Sequence, residues 1–294
     1  MTMSAAMRDI PLVDFLTLLL SPDIPFFRYA IITGILASIP FGIIGTYVVI
    51  RRISYIAGAV SHCVLAGIGA GLYCEQVLRI PWLTPQIGAA IVALFAAIVL
   101  ALVSRYAEQR EDSVIGALWA SGMAIGLLFI AKTPGYTDPM SYLFGNILLI
   151  TTNDIYYVVL LDILVIGVVI YYYNSFLALC FDEEYARLRG IKTHWLYMLL
   201  LCLTALTIVL LVRIVGIVMV IALLTLPAAI AGNFARNIIQ MMTIATFTCA
   251  LFIVSGLVLS YEMDIPSGPA IILLAASSYL VIVLGLRTIT WVRR

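Results

Sequence analysis

The sequence predicts an all-α, polytopic integral membrane bundle of about eight or nine transmembrane helices, and three observations predict it. Of 294 residues, 64% are hydrophobic and 11% charged, where a soluble domain has about 45–50% and about 25%. The few charges divide the chain into long uncharged windows, and about 20 helical residues suffice to cross a hydrocarbon core about 30 Å thick. Lys and Arg cluster in short connections that recur after every second window, the asymmetry that orients membrane proteins. Backbone groups in lipid must be satisfied within the segment, and the alternating pattern of a membrane barrel is absent, so the windows are helices. With Lys+Arg 16 against Asp+Glu 15, no basic field draws nucleic acid. Lipid is the first partner.

The elements follow from the charges. Residues 1–26 read as an interfacial N-terminal segment: Arg8 and Asp9 precede the apolar run Phe15 to Leu20, but Pro11, Pro22 and Pro25 interrupt it and no small-residue cleavage pattern follows. Uncharged windows then run Arg28 to Arg51, Arg52 to Glu75, Arg79 to Arg105 and Asp112 to Lys132. A further span, Ile155 to Tyr173, holds Asp162. Windows from Lys192 to Arg213, Arg213 to Arg236, Arg236 to Glu262 and Asp264 to Arg287 complete the series. Arg51 and Arg52, then Arg105 and Arg110, then Arg187, Arg189 and Lys192 mark cytoplasmic loops, which puts the N-terminus outside. The stretch from Trp195 to Gly232 is about twice a span and must break near Arg213 and Gly216. If both halves cross, Arg236, Arg287, Arg293 and Arg294 fall inside, which favours nine crossings over eight. No repeat or low-complexity tract divides the chain, so residues 1–294 read as a single membrane domain.

Several activities are excluded. The two lysines, Lys132 and Lys192, follow Ala131 and Ile191, so no phosphate-cradling loop ending in Gly-Lys-Ser/Thr exists. The histidines are His62 and His194, and neither HExxH nor GxSxG occurs; an enzyme has no constellation to stand on. The five cysteines, Cys63, Cys74, Cys180, Cys202 and Cys249, have no paired spacing.

What remains is intramembrane polarity and one loop. His62 lies near the middle of its span, where a neutral imidazole suits zinc, iron or manganese; the plainer alternative is a hydrogen bond to a neighbouring helix. Cys63 sits on a different face and reads as packing. Asp162 would serve a proton or sodium relay, but an inter-helix hydrogen bond is the simpler reading. Arg213 reads as a helix end whose stem snorkels to an interface. Gly67, Gly69 and Gly71, with Gly116, Gly122 and Gly126, read as close helix packing. The cytoplasmic segment 181–191 reads as a short amphipathic helix, with Asp182, Glu183 and Glu184 in its first turn, Arg187 and Arg189 in its last and Gly190 as its stop. Phe181, Tyr185 and Leu188 share one face, which suits a lug for a soluble partner as well as a plain interfacial helix.

These residues resemble a known family, the membrane permeases of ATP-binding-cassette importers for zinc, manganese and iron, from about Gly34 to the last span. The likeness rests on Arg51-Arg52-Ile53-Ser54-Tyr55 leading to Ser61-His62 and Gly67, on Tyr142-Leu143-Phe144-Gly145, and on Phe181-Asp182 with Ala186 and Gly190-Ile191. Val215-Gly216, Leu226-Pro227-Ala228-Ala229 and Asp264-Ile265-Pro266-Ser267-Gly268-Pro269 complete it. The resemblance implies a bacterial inner-membrane permease that pairs with a second copy or a related permease. It also implies a cytoplasmic ATP-binding-cassette ATPase, which binds the ATP, and an extracytoplasmic metal-binding protein that delivers the cargo. This chain would bind no cofactor of its own and have no ATPase site. The resemblance makes His62 a transient ligand for the transported divalent metal in the dimer interface, and Phe181, Asp182, Ala186 and Gly190 the contacts that couple to the ATPase. Where the family commonly has an acid four residues before the histidine, this chain has Gly58. Cys63, Cys74, Glu75 or a ligand from the other permease would then have to substitute. The rival readings are a proton- or sodium-coupled secondary transporter using Asp162 and a non-transporting membrane scaffold or lipid enzyme subunit.

Overall fold

The computed structural model describes residues 25–106, 111–135, 139–145 and 150–292. Of the interfacial segment expected for residues 1–26, residues 1–24 lie outside them and the last two begin the first helix; Arg110, Arg293 and Arg294 also lie outside. The described chain is helical throughout: α1 Pro25–Ile50, α2 Ser54–Gln76, α3 Pro85–Tyr106, α4 Glu111–Lys132, α5 Pro139–Phe144, α6 Thr152–Tyr171, α7 Tyr173–Phe181, α8 Glu183–Leu188, α9 Thr193–Val215, α10 Ile217–Ala231, α11 Ile238–Met263 and α12 Ser267–Val292.

Among the described residues, eight helices are long and apolar enough to cross a membrane: α1, α2, α3, α4, α6, α9, α11 and α12. The chain is therefore a multi-pass membrane protein. The uncharged stretch around Gly216 breaks where the sequence places the break, with Gly216 at φ +84° between α9 and α10. Its second half falls short of a full crossing. With 15 residues, α10 covers about 22 Å of a core about 30 Å thick. Among the described residues the eight or nine crossings read from sequence are thus eight full-length helices and one short one. An uncharged window measures only the gap between charges, whereas Gly216 halts α9 before that window ends.

The direction of α10 nevertheless keeps the parity. At one end of the bundle, Arg51 donates to the Leu179 carbonyl at 2.9 Å and to Glu183 at 3.0 Å, placing the end of α1 beside α7 and α8. At the other end, Arg213 in the last turn of α9 pairs with Asp154 in the first turn of α6 at 3.2 Å. From there α10 returns, because Ala228 and Ala231 pack with Val49 and Ile50. Arg52, Arg187, Arg189, Lys192 and Arg236 accompany Arg51, making this the basic end and, by the loop-charge rule, the cytoplasmic one.

Helix α2 is the axis of the packing, buried without a gap from Ile56 to Gly69. Lipid tails are as apolar as leucine, so burial does not hold helices together in a membrane; small residues do, by letting backbones approach. Gly67 lies on Gly88 and Ala89, Gly69 on Gly126, and Gly122 on Cys63. Gly116, grouped with these by sequence, has nothing within 4 Å of a Cβ built on it, so it is no packing glycine. A second junction is made by backbone alone: Gly145 at φ +65° and Gly216 at φ +84° meet each other, and Gly268 abuts Phe144. Left-handed backbone with no room for a Cβ leaves glycine as the residue for Gly145 and Gly216.

Candidate functional site

His62 is the ninth residue of α2, about 12 Å along the helix from its basic-end start. It is 9% exposed, on the most enclosed helix of the protomer. The ring stacks on Trp119 of α4, with centroids 4.5 Å apart and planes at 21°. Its Nδ1 is buried without a hydrogen-bond partner, so the inter-helix hydrogen bond considered from sequence is not made at that atom.

The residues named as substitute ligands do not join it. Cys63 directs its thiol to the Leu118 carbonyl at 3.2 Å. Cys74 and Glu75 lie twelve and thirteen residues further along α2, about 18–20 Å away by helical rise. Among the described residues, no group of three or more His, Cys, Asp or Glu is placed to hold a metal ion.

Trp119 went unnoticed in the sequence. A Cβ built on Gly58 would stand 3.0 Å from Cζ3 and 3.2 Å from Cη2 of the indole, so the aromatic ring occupies the space where the acid of the resembled family would begin. The available signal was Gly58 itself, since a missing side chain on the face of His62 requires something to fill its place. Tyr55 flanks the same indole at 5.6 Å.

At the far end from Arg51, a cavity of about 470 Å³ opens between α2, α3, α5, α6 and α9, lined among others by Glu75, Gln86, Tyr142, Asp154 and Arg213. Asp154 accepts from the Thr151 amide at 2.9 Å and its hydroxyl at 2.7 Å, as well as from Arg213. The Gln86 side-chain amide abuts the guanidinium, from which its oxygen would accept once turned toward it. Arg213 stands at a helix end, as the sequence suggested, and there its half-exposed side chain is a paired residue of a vestibule. Burial pushes the Tyr142 hydroxyl above its ordinary pKa.

Asp162 on α6 is 6% exposed, and neither carboxylate oxygen has a hydrogen-bond partner. The inter-helix hydrogen bond preferred from sequence is absent.

At the basic end a short helix forms within segment 181–191, but it is tighter than the sequence suggested: it runs Glu183–Leu188, with Asp182 as its N-cap, Arg189 as its C-cap and Phe181 closing α7. The Asp182 carboxylate accepts from the Tyr185 amide at 2.8 Å, satisfying one of the orphan donors of the first turn. Ala186 is fully buried and Gly190 terminates the turn at φ +78°, its amide bonded to the Arg187 carbonyl at 3.0 Å. Phe181, Tyr185 and Leu188 are 72%, 49% and 87% exposed. Arg51, whose guanidinium also lies over the Tyr197 ring at 5.5 Å, ties Glu183 to the end of α1. A cleft of about 770 Å³ beside the helix is lined by Arg51, Glu183, Glu184, Arg187, Lys192 and His194 with others.

A sequence profile described as the ABC 3 transport family matches residues 23–285. The chain is 30% identical over 250 residues to the manganese transport system membrane protein MntC of Listeria innocua, covering 85% of this chain and 87% of that one. It is 30% identical over 248 residues to the high-affinity zinc uptake system membrane protein ZnuB of Haemophilus influenzae, covering 84% and 92%. Among solved structures it is similar to a chain of PsaBC from Streptococcus pneumoniae in complex with Fab, at a TM-score of 0.81 and 28% identity, covering 92% of this chain and 95% of that one.

Proposed function

The chain belongs to the ABC 3 transport family, and we propose that it is the permease of an importer that carries a divalent transition metal, zinc, manganese or iron, across the bacterial plasma membrane. The energy comes from ATP hydrolysed on a cytoplasmic ATP-binding-cassette subunit, since this sequence holds no phosphate-binding loop of its own. An extracytoplasmic metal-binding protein delivers the cargo, and a second permease, identical or related, completes the pathway.

The observation that carries this reading is α8. A six-residue helix capped by Asp182 and pinned by Arg51 at the basic end presents Tyr185 and Leu188 outward, beside the exposed Phe181 that ends α7. Three exposed apolar side chains on a rigid cytoplasmic lug suit a soluble partner that pushes on it. Asp182, Ala186 and Gly190 give the lug its shape, and Phe181 stands at its rim. Force applied there passes through Glu183 and Arg51 to α1 and through α7 to α6.

Inside the membrane, His62 touches the cargo in passing. One imidazole binds weakly enough to release, unlike a closed tetrahedral site. The vestibule with Glu75 and Asp154 at the opposite end is where cargo first meets carboxylates.

The test is uptake of radioactive zinc, manganese and iron by cells with and without the gene, and copurification of the ATPase with the chain. Uptake of at least one metal, lost together with the ATPase when segment 181–191 is altered, supports the reading. One observation favours a second reading: the unpartnered Asp162 would suit a proton- or sodium-coupled transporter. That reading requires uptake by the chain alone in liposomes, collapsed by an uncoupler and indifferent to ATP.

A further inference from the structure

Resting on the importer reading above, we infer that Trp119 determines which metals the permease accepts, by keeping a carboxylate away from His62 and leaving the cargo a nitrogen-only contact. Residues four apart on a helix lie one above the other on one face, so a side chain at position 58 would reach the same space as the His62 ring. The indole already fills that space, against Gly58 and stacked on His62. Its position is fixed by backbone: Gly122, three residues on, lies on Cys63, so α4 cannot withdraw without opening the helix contact. The thiol of Cys63 is turned to the Leu118 carbonyl. The donor beside the indole is therefore one imidazole, with Nδ1 unpartnered.

Donor type then selects cargo. Manganese is bound most weakly of the divalent first-row metals by nitrogen and is held by carboxylate and carbonyl oxygen, whereas zinc is well served by imidazole. A site from which carboxylate is excluded by an aromatic ring favours zinc-like cations over manganese.

The test measures zinc and manganese uptake at equal concentrations by the complete complex of permease, ATPase and binding protein. The unaltered complex should prefer zinc. Trp119→Ala combined with Gly58→Asp should raise the manganese-to-zinc ratio by tenfold or more, Gly58→Asp alone should not, and Trp119→Phe should keep the original ratio. An unchanged ratio in a double variant that still retains its ATPase overturns the inference, as does equal transport of both metals by the unaltered complex. Transport of neither zinc nor manganese overturns this inference, and overturns the importer reading with it only if iron is not carried either. Should the double variant not assemble, the chain with Trp82, Trp195 and Trp291 changed to Phe decides: cobalt, a nitrogen-seeking probe, should quench Trp119 fluorescence at concentrations where manganese does not. Equal quenching overturns the inference.

Discussion

The Arg51 guanidinium holds Glu183 at 3.0 Å across 132 residues of sequence, and through that contact α8 is joined to the end of the first long helix. Exposed ion pairs contribute about 0–1 kcal/mol. This one differs in that Arg51 is largely buried and also donates to the Leu179 carbonyl. Arg51→Ala should therefore lower metal-stimulated ATPase activity of the assembled complex at least fivefold. Arg187→Ala removes only an i,i+4 pair to the same carboxylate and should change it less than twofold. Equal effects of the two substitutions would show that the tie to α1 is not what transmits the stroke.

Asp162→Leu should stabilise the protein. A buried polar group without a partner costs about 1–3 kcal/mol, and both Asp162 oxygens are in that position. A rise in the detergent-solubilised Tm with metal uptake intact is expected. Loss of uptake with the ATPase still bound would favour the gradient-driven reading.

Gly216 and Gly190 both have positive φ, at +84° and +78°, yet they should respond differently to alanine. At Gly190 a Cβ meets nothing within 4 Å, so the cost is only the penalty of left-handed backbone, about 1–2 kcal/mol. At Gly216 a Cβ strikes the backbone of Gly145 and Phe144, in addition to about 1–3 kcal/mol of strain. Gly190→Ala should yield normal amounts of membrane-inserted protein and Gly216→Ala little or none, measured by fluorescence-detected size-exclusion chromatography.

Burial raises the Cys180 thiol to about 11, while the nearby Arg51 cation opposes the shift. The thiolate is the reactive form, so in a variant keeping only this cysteine, maleimide labelling should be slow at pH 8 and accelerate steadily toward pH 10. Arg51→Ala removes the opposing cation and should slow labelling further at each pH. Faster labelling in that variant would mean that opening of the site outweighs its electrostatics.

What could be read from sequence alone was what is encoded locally. Long uncharged windows place seven of the eight full helices, and the apolar stretch around Asp162 the eighth, because the bilayer sets one length for all of them. Asp182, Arg187, Arg189 and Gly190 announce α8 because caps and stops act within a turn. The resemblance in ordered motifs extended this to the family. Contacts between distant segments were illegible: nothing near Gly58 in the chain names Trp119, sixty-one residues on, as the group that fills its space. Nor did the pairing of Arg213 with Asp154 follow from either residue's neighbours. The shortness of α10 escaped because hydropathy counts apolar residues without registering where a glycine at positive φ ends the preceding helix.

The meeting of Gly145 with Gly216, and of Phe144 with Gly268, bears on how the protein is made. The short helix α5 is synthesised early, yet each surface it rests on belongs to segments that leave the ribosome 71 and 124 residues later. Until α12 has been inserted, α5 has no complete seat, so the vestibule is finished only when synthesis nears its end. Truncation before Ser267 should leave a chain that is inserted in the bilayer but has no formed mouth, recognisable to the cell's membrane proteases as an unfinished product.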